Sequence, residues 1–427
     1  MADNKRTIVV GTTADYIQLI TEKFPGRAFF VTDFSERAKW KGKAPSWEEE
    51  LLLDLEDERT ALAQIRMHIG ENRIIPSGVV CFDCESLALA ADLAEKLGLP
   101  FTSKEAVMNC RSKYRSKKIW KESGISCPDA ALVRGEQDVI DLFDRGRGPI
   151  VIKPLTGSGS ELVFLCRDRD SCRKAYGTIS EKLRGHGNIR MYTTANLPEE
   201  EDPRRVFLAE SYIAGEEYSC DFIVQDGQAR VLRLARKLVR HEAGFGTISG
   251  YILQKELSGR WTIGALEKRL LAASESLGVT GAIAMADFKI EEDEVFFLEI
   301  TPRPGGDCLP PLIKASSGLD MIGAAFDLAE GNRVSVPEAA LWNRVVGFHL
   351  IASTSGVLKK IEASSLAGDP RIFAHHFKRT VGDRIELPPE DYDSRILGYV
   401  LFRPESDNLE KECLEISGKV KVEIEQP

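Results

Sequence analysis

Two apolar runs, residues 284–290 and 296–300, each carry one carboxylate in mid-run, Asp287 and Glu299, and an acidic turn joins them. Apolar strand-like runs on either side of a short turn predict an antiparallel hairpin. With Ile290 set opposite Phe296, Asp287 falls opposite Glu299. Directly opposed side chains have Cβ atoms about 4.5–5.5 Å apart, and like charges there destabilise the pairing. Both carboxylates also sit among apolar residues, where unpaired charge is expensive. A raised carboxyl pKa or a nearby arginine relieves the conflict. A divalent cation does so too, and oxygen-only ligands of this kind suit Mg²⁺ or Mn²⁺.

The rest of the chain limits what such a site can serve. At roughly 100–200 residues per domain, 427 residues allow about two to four domains with real cores. A hydrophobic fraction of 43% beside 29% charged residues excludes wholesale disorder. The formal charge of -9 argues against a general nucleic-acid binder. No apolar run approaches the roughly 18–20 residues that cross a bilayer, and the first apolar stretch is too short for a signal peptide. A cytosolic protein with no membrane partner is expected. Nine cysteines, an odd count, fit reduced thiols. Cys81-Phe-Asp-Cys84 forms the single CxxC, with no second ligand pair nearby, and Cys81 reads as the end of a buried strand. The first turn, Gly11-Thr-Thr-Ala-Asp15, has one glycine, which argues against a dinucleotide fingerprint. No P-loop occurs, and His241-Glu242 lacks the second histidine of a zinc-protease helix.

The first hundred residues alternate strand-like runs (7–10, 29–32, 78–82) with helical periodicity, clearest over 85–97 where Gly98 closes the helix. This predicts a small parallel sheet flanked by helices. Residues 48–59, charged with a leucine stripe, read as a surface helix, and residues 104–123 as one basic helical stretch. Strand signals follow at 130–133 and 149–153, then a polar excursion at 184–205. Strands dominate 206–300 with one helix near 266–277, and residues 339–427 read as short strands with Gly/Pro turns.

Three further patterns carry chemistry. Ile150-Val-Ile-Lys153-Pro154 places a lysine at a strand end, followed by the small-residue loop Thr156, Gly157, Ser158, Gly159, Ser160. Such a loop can lay backbone N–H groups on phosphate oxygens while lysine adds a point charge; taken alone, it reads sooner as a solvated strand-end lysine and a flexible turn. Around Glu210-Ser-Tyr-Ile213-Ala-Gly215-Glu-Glu217, a carboxylate stands on each side of a turn, suited to an exocyclic amine and a ribose diol, with the backbone between reading a purine edge. Thr301-Pro-Arg303-Pro-Gly305-Gly306-Asp307 holds an arginine stiffly between prolines, close to the carboxylate pair and fit to neutralise a transferring phosphoryl group.

In this order the patterns resemble the ATP-grasp superfamily, over nearly the whole chain. The resemblance implies mixed α/β and α+β architecture: a parallel α/β pre-grasp domain at 1–104, an ATP-grasp domain at 105–338 with a lid near 125–208, and a β-rich, lid-like C-terminal domain at 339–427. It implies ATP and Mg²⁺ (or Mn²⁺) as cofactors. Lys113 and Lys153 are then the phosphate-binding lysines, with the 156–160 loop above them. Glu210 and the backbone of Ser211, Tyr212 and Ile213 form the adenine hinge, and Glu217 holds the ribose. Asp287 and Glu299 are metal ligands, and Arg303 is the catalytic arginine. Two departures stand out: Ser112 where the family often has Asp, and Thr301 where the metal strand usually ends in Asn. Thr301 is retained as a third metal ligand. The segment Glu299-Ile-Thr-Pro-Arg303-Pro-Gly-Gly306 and the C-terminal strands look most like the L-amino acid ligase group, whose architecture resembles biotin carboxylase. An ADP-forming carboxylate–amine ligase acting through an acyl-phosphate is expected, with small carboxylate and amine partners and a homodimer unsurprising. Substrate candidates are Arg236, Lys237, His241, Gly305 and Gly306. The rival readings are a bicarbonate-activating carboxylase and a nucleotide-binding protein with decayed catalysis.

Overall fold

The computed structural model describes residues 4–39, 44–146, 148–193, 197, 201–239 and 244–426. The β-branched run at the start forms the strand Lys5–Val10, which pairs in parallel with Ala28–Asp33 and Ile75–Val80. Glu50–Leu53 completes the sheet as an edge strand, so the surface helix expected over 48–59 is corrected. An edge strand mixes charge and leucine much as an amphipathic helix does. The helix itself begins at Glu58, where the Asp57 side chain accepts from the Thr60 amide and caps it. Further on, Leu87–Leu97 ends at Gly98 in the left-handed region.

The basic stretch is two helices, Lys104–Arg111 and Lys113–Glu122, not one. Ser112 is extended and serves as the end of the first and the cap of the second, its hydroxyl accepting from the Arg115 amide. A residue that bonds the backbone locally makes such a break possible inside a helical pattern. The break puts Lys113 at the head of the second helix and Lys117 one turn later on the same face.

Two antiparallel sheets follow. The smaller has the order Ala130–Val133, Phe207–Ser211, Ile150–Pro154, Phe164–Cys166. The larger has eight strands: Glu294–Thr301, Ala282–Glu291, Glu216–Gln225, Gln228–Val239, Ile248–Leu253, Val345–Ile351, Ile396–Phe402 and Ile372–Phe377. It runs across residue 338, so strands from the C-terminal segment extend the same sheet. Gly356–Glu362, Arg384–Ile385 and Lys421–Glu425 make a separate three-stranded sheet. Helices Leu309–Ser317 and Met321–Ala329 lie in one apolar core with Val9 and Phe30 of the parallel sheet and Ile223 and Leu232 of the large one. That shared core fixes the first sheet relative to the large one.

The carboxylate hairpin has the expected pairing by an unexpected route. Asp287 faces Glu299, but Ile290 pairs with Val295 rather than Phe296. Glu292 and Asp293 both have positive φ, which is the tight two-residue turn of a twisted hairpin. The register shift between Asp287 and Phe288 then absorbs one extra residue.

Candidate active site

A cleft of about 420 Å³ is lined by residues of both antiparallel sheets and by the head of the Lys113–Glu122 helix. On its wall Asp287 Oδ2 accepts from Lys237 Nζ at 2.7 Å. Asp287 Oδ1 is buried and has no hydrogen-bond partner among the described residues. Burial, opposed by Lys237 and reinforced by Glu299 and Glu217, raises the Asp287 carboxyl above its ordinary range. Burial also works against ionised Glu299, yet Lys113 at 3.1 Å, with Lys153 and Lys117, holds it down to about 2. An orphaned carboxylate oxygen beside a second, ionised carboxylate is a donor set that fits Mg²⁺ or Mn²⁺. Thr301 is buried beside them, and its hydroxyl donates to Glu299 Oε1 at 3.2 Å.

The lysines that would meet phosphate are held by carboxylates and carbonyls. Lys113 Nζ donates to the Gly157 carbonyl at 2.8 Å, tying the helix head to the loop above it. Lys153 and Lys117 share Glu210, at 2.6 and 3.0 Å. Burial lowers the Lys153 pKa; Glu210 resists, Lys117 and Lys113 add to the drop, and the result is about 8. In the loop, Gly157 and Gly159 have positive φ and Thr156 donates to the Met191 carbonyl at 2.9 Å.

These contacts bear on the hinge assignment. Glu210 is 3% exposed and stands between two lysines, and its Oε1, 3.0 Å from Lys117, has no hydrogen-bond partner among the described residues. The Ser211 amide donates to the Asp129 carbonyl and the Tyr212 amide to the Pro149 carbonyl, which narrows the hinge donor to the Ile213 amide. The Ile213 carbonyl accepts from Lys289 at 2.9 Å. Glu217 lines the cleft and takes Lys237 at 2.8 Å.

The arginine loop is anchored from beneath. Arg233 pairs with Asp221 at 2.6 Å, and both side chains are at most 1% exposed. Arg233 also donates to the Ser219 carbonyl and hydroxyl at 2.9 and 3.0 Å. The second Asp221 oxygen accepts from the Gly305 amide at 2.6 Å, so the pair fixes the chain two residues beyond Arg303. A Cβ on Gly305 would lie 2.6 Å from Leu309 Cδ1 and 3.1 Å from Asp221. Gly305 is therefore closely packed and is not on the cleft wall; Gly306 likewise lies outside the lining, facing Tyr16. Arg303 does line the cleft.

Of the other substrate candidates, Arg236 stands at the cleft with Glu216 at 3.8 Å. Lys237 is buried between Glu217 and Asp287, which outweigh burial and raise its pKa, so it is a counter-ion of the carboxylates. His241 lies outside the described residues. Lys117, Asp221 and Arg233 were not singled out in the sequence. Their signals were present: one helical turn after Lys113, and the inward alternation shared by Glu217, Ser219 and Asp221.

Two strands ending in lysine and carboxylate thus lie under a glycine loop, above a carboxylate hairpin. Residues 147–311 match the ATP-grasp domain family, and the chain has the ATP-grasp fold. Among curated proteins the similarity runs to ligases. The chain is 26% identical over 243 residues to D-alanine–D-alanine ligase of Acidovorax ebreus, covering 53% of this chain and 64% of that protein. It is 21% identical over 246 residues to the L-arginine-specific L-amino acid ligase of Bacillus subtilis, covering 57% and 55%. Both matches span less than two thirds of the relative's length. The crystal structure of an L-amino acid ligase from Bacillus licheniformis superposes with a TM-score of 0.81 at 20% identity, covering 100% of both chains.

Proposed function

We propose that the protein is an ADP-forming carboxylate–amine ligase that joins an amino acid or related small carboxylate to an amine through an acyl-phosphate. The observation that carries the reading is the Asp287–Glu299 pair near three lysines and Arg303, with one buried carboxylate oxygen unpartnered among the described residues. The similarity to carboxylate–amine ligases supports the same reaction class.

In this reading the cleft works by positioning and charge neutralisation. Lys113 and Lys153 release their carboxylate partners and take the phosphates. The Ile213 amide and the Glu217 carboxylate hold the base and the ribose. Asp287 and Glu299 would hold a Mg²⁺ ion, which would supply positive charge against the nucleotide's phosphates. The substrate carboxylate attacks the γ-phosphorus, ADP leaves, and Arg303 neutralises charge on the group in transfer. The amine then attacks the acyl carbon, loses a proton and expels phosphate. The 156–160 loop, tied to Lys113 through Gly157, keeps water from the acyl-phosphate.

The test is Mg²⁺-dependent release of ADP and phosphate across pooled amino acids and amines, with bicarbonate as a separate arm. Release that needs a carboxylate and yields a new amide mass is the expected outcome. Release with bicarbonate alone would move the protein to the carboxylases, and silence in every arm with ATP still bound would sink the ligase reading.

A further inference from the structure

The loop 83–86, between the strand Ile75–Val80 and the helix Leu87–Leu97, touches both the lid side of the cleft and the arginine loop. Asp83 closes it by accepting from the Ser86 amide at 2.6 Å and the Ser86 hydroxyl at 3.0 Å. It is seated on Gly11, where an added Cβ would lie 1.8 Å from Ser86 Oγ and 2.4 Å from Asp83 Oδ2. From the lid side, Asn188 donates to Glu85 at 3.0 Å and Arg190 donates to the Ser86 hydroxyl. From the other side, Arg303 Nε donates to Cys84 Sγ at 3.0 Å, across 219 residues of sequence. Arg303 also donates through Nη1 to the Pro304 carbonyl at 2.8 Å.

A guanidinium has five N–H groups in a fixed plane. Holding Nε and one Nη1 proton sets that plane and leaves the other donors for the cleft that Arg303 lines. The Pro304 contact lies on the arginine's own loop, so the reference from outside that loop is Cys84. We infer that Cys84 is the positioning residue for Arg303, holding the guanidinium in the plane in which it meets the transferring phosphoryl group. The braced 83–86 loop carries that position from the lid to the arginine. The inference rests on the proposed reading of Arg303.

The test uses ADP, Mg²⁺ and aluminium fluoride, a mimic of the transferring phosphoryl group that needs no knowledge of the substrates. Affinity for ADP is measured with and without fluoroaluminate in the full-length wild type, Arg303→Met, Cys84→Val and Cys84→Ser. Arg303→Met should abolish the fluoroaluminate-dependent tightening. Cys84→Val, which fills the space without an acceptor, should lose about tenfold of it while affinity for ADP alone is unchanged. Cys84→Ser, which keeps an acceptor, should retain it. Wild-type tightening in Cys84→Val, or equal losses in Val and Ser, overturns the positioning role alone. Full tightening in Arg303→Met overturns the reading of Arg303 and the positioning role with it. If Cys84→Val does not fold, Cys84→Ala against Cys84→Ser gives the same comparison.

Discussion

Two buried charge clusters stand on the same pair of strands, Glu216–Gln225 and Gln228–Val239, and only one of them is complete. At Asp221–Arg233 the carboxylate and guanidinium find each other, the Ser219 carbonyl and hydroxyl, and the Gly305 amide. Four residues along, Glu217 and Lys237 join Asp287, one of whose oxygens has no partner among the described residues. The first cluster is satisfied by the protein and holds the arginine loop in place. The second leaves one buried carboxylate oxygen without a partner among the described residues, as the proposed metal site requires. Burial of charge is common to both; completeness of hydrogen bonding separates them.

The contrast breaks most severely at the complete cluster. Asp221→Ala strands a buried guanidinium and frees the Gly305 amide, so it should cost about 3–5 kcal/mol of stability. Denaturant unfolding reads this directly, and a loss below about 1 kcal/mol would mean that the pair does not anchor the loop. At the incomplete cluster the effect should fall on chemistry. Glu299→Gln should slow Mg²⁺-dependent ATP turnover by about 10²–10³-fold. Unimpaired turnover would remove the hairpin from the metal site.

The smallest effect is a proton count. Lys153 has its pKa lowered to about 8, mainly by burial, in the ligand-free protein. Phosphate beside it favours the charged form and raises that pKa on binding. Below pH 8 the lysine is already charged and binding takes up no proton there. Above pH 8 the free protein has lost the proton and binding must restore it, so affinity for ATP should fall by up to about tenfold from pH 8 to 9. Calorimetry in two buffers of different ionisation enthalpy measures the uptake; none at pH 9 in wild type, or uptake persisting in Lys153→Met, would place the proton elsewhere.

Much of this was legible in the chain. The facing of Asp287 and Glu299 followed from alternation about a turn, because strand periodicity fixes which side chains share a face. The register at Ile290 did not, since a two-residue turn and a bulge offset one another and leave the same pair opposed. Residues 50–53 were misread because an edge strand and an amphipathic helix share one mixture of leucine and charge. Lys153, Glu217 and Arg303 were identifiable by type and order, and all three line the cleft.

What the sequence by itself determined, then, was the succession of elements and the chemical kinds they carry, because periodicity and turn chemistry are local. The tertiary structure alone decided the partners: that Glu210 is held between Lys117 and Lys153, that Asp221 grips Gly305, and that Cys84 meets Arg303. Those contacts join residues far apart in the chain, and a charge's pKa and role follow from its neighbours in space, to which sequence distance is no guide.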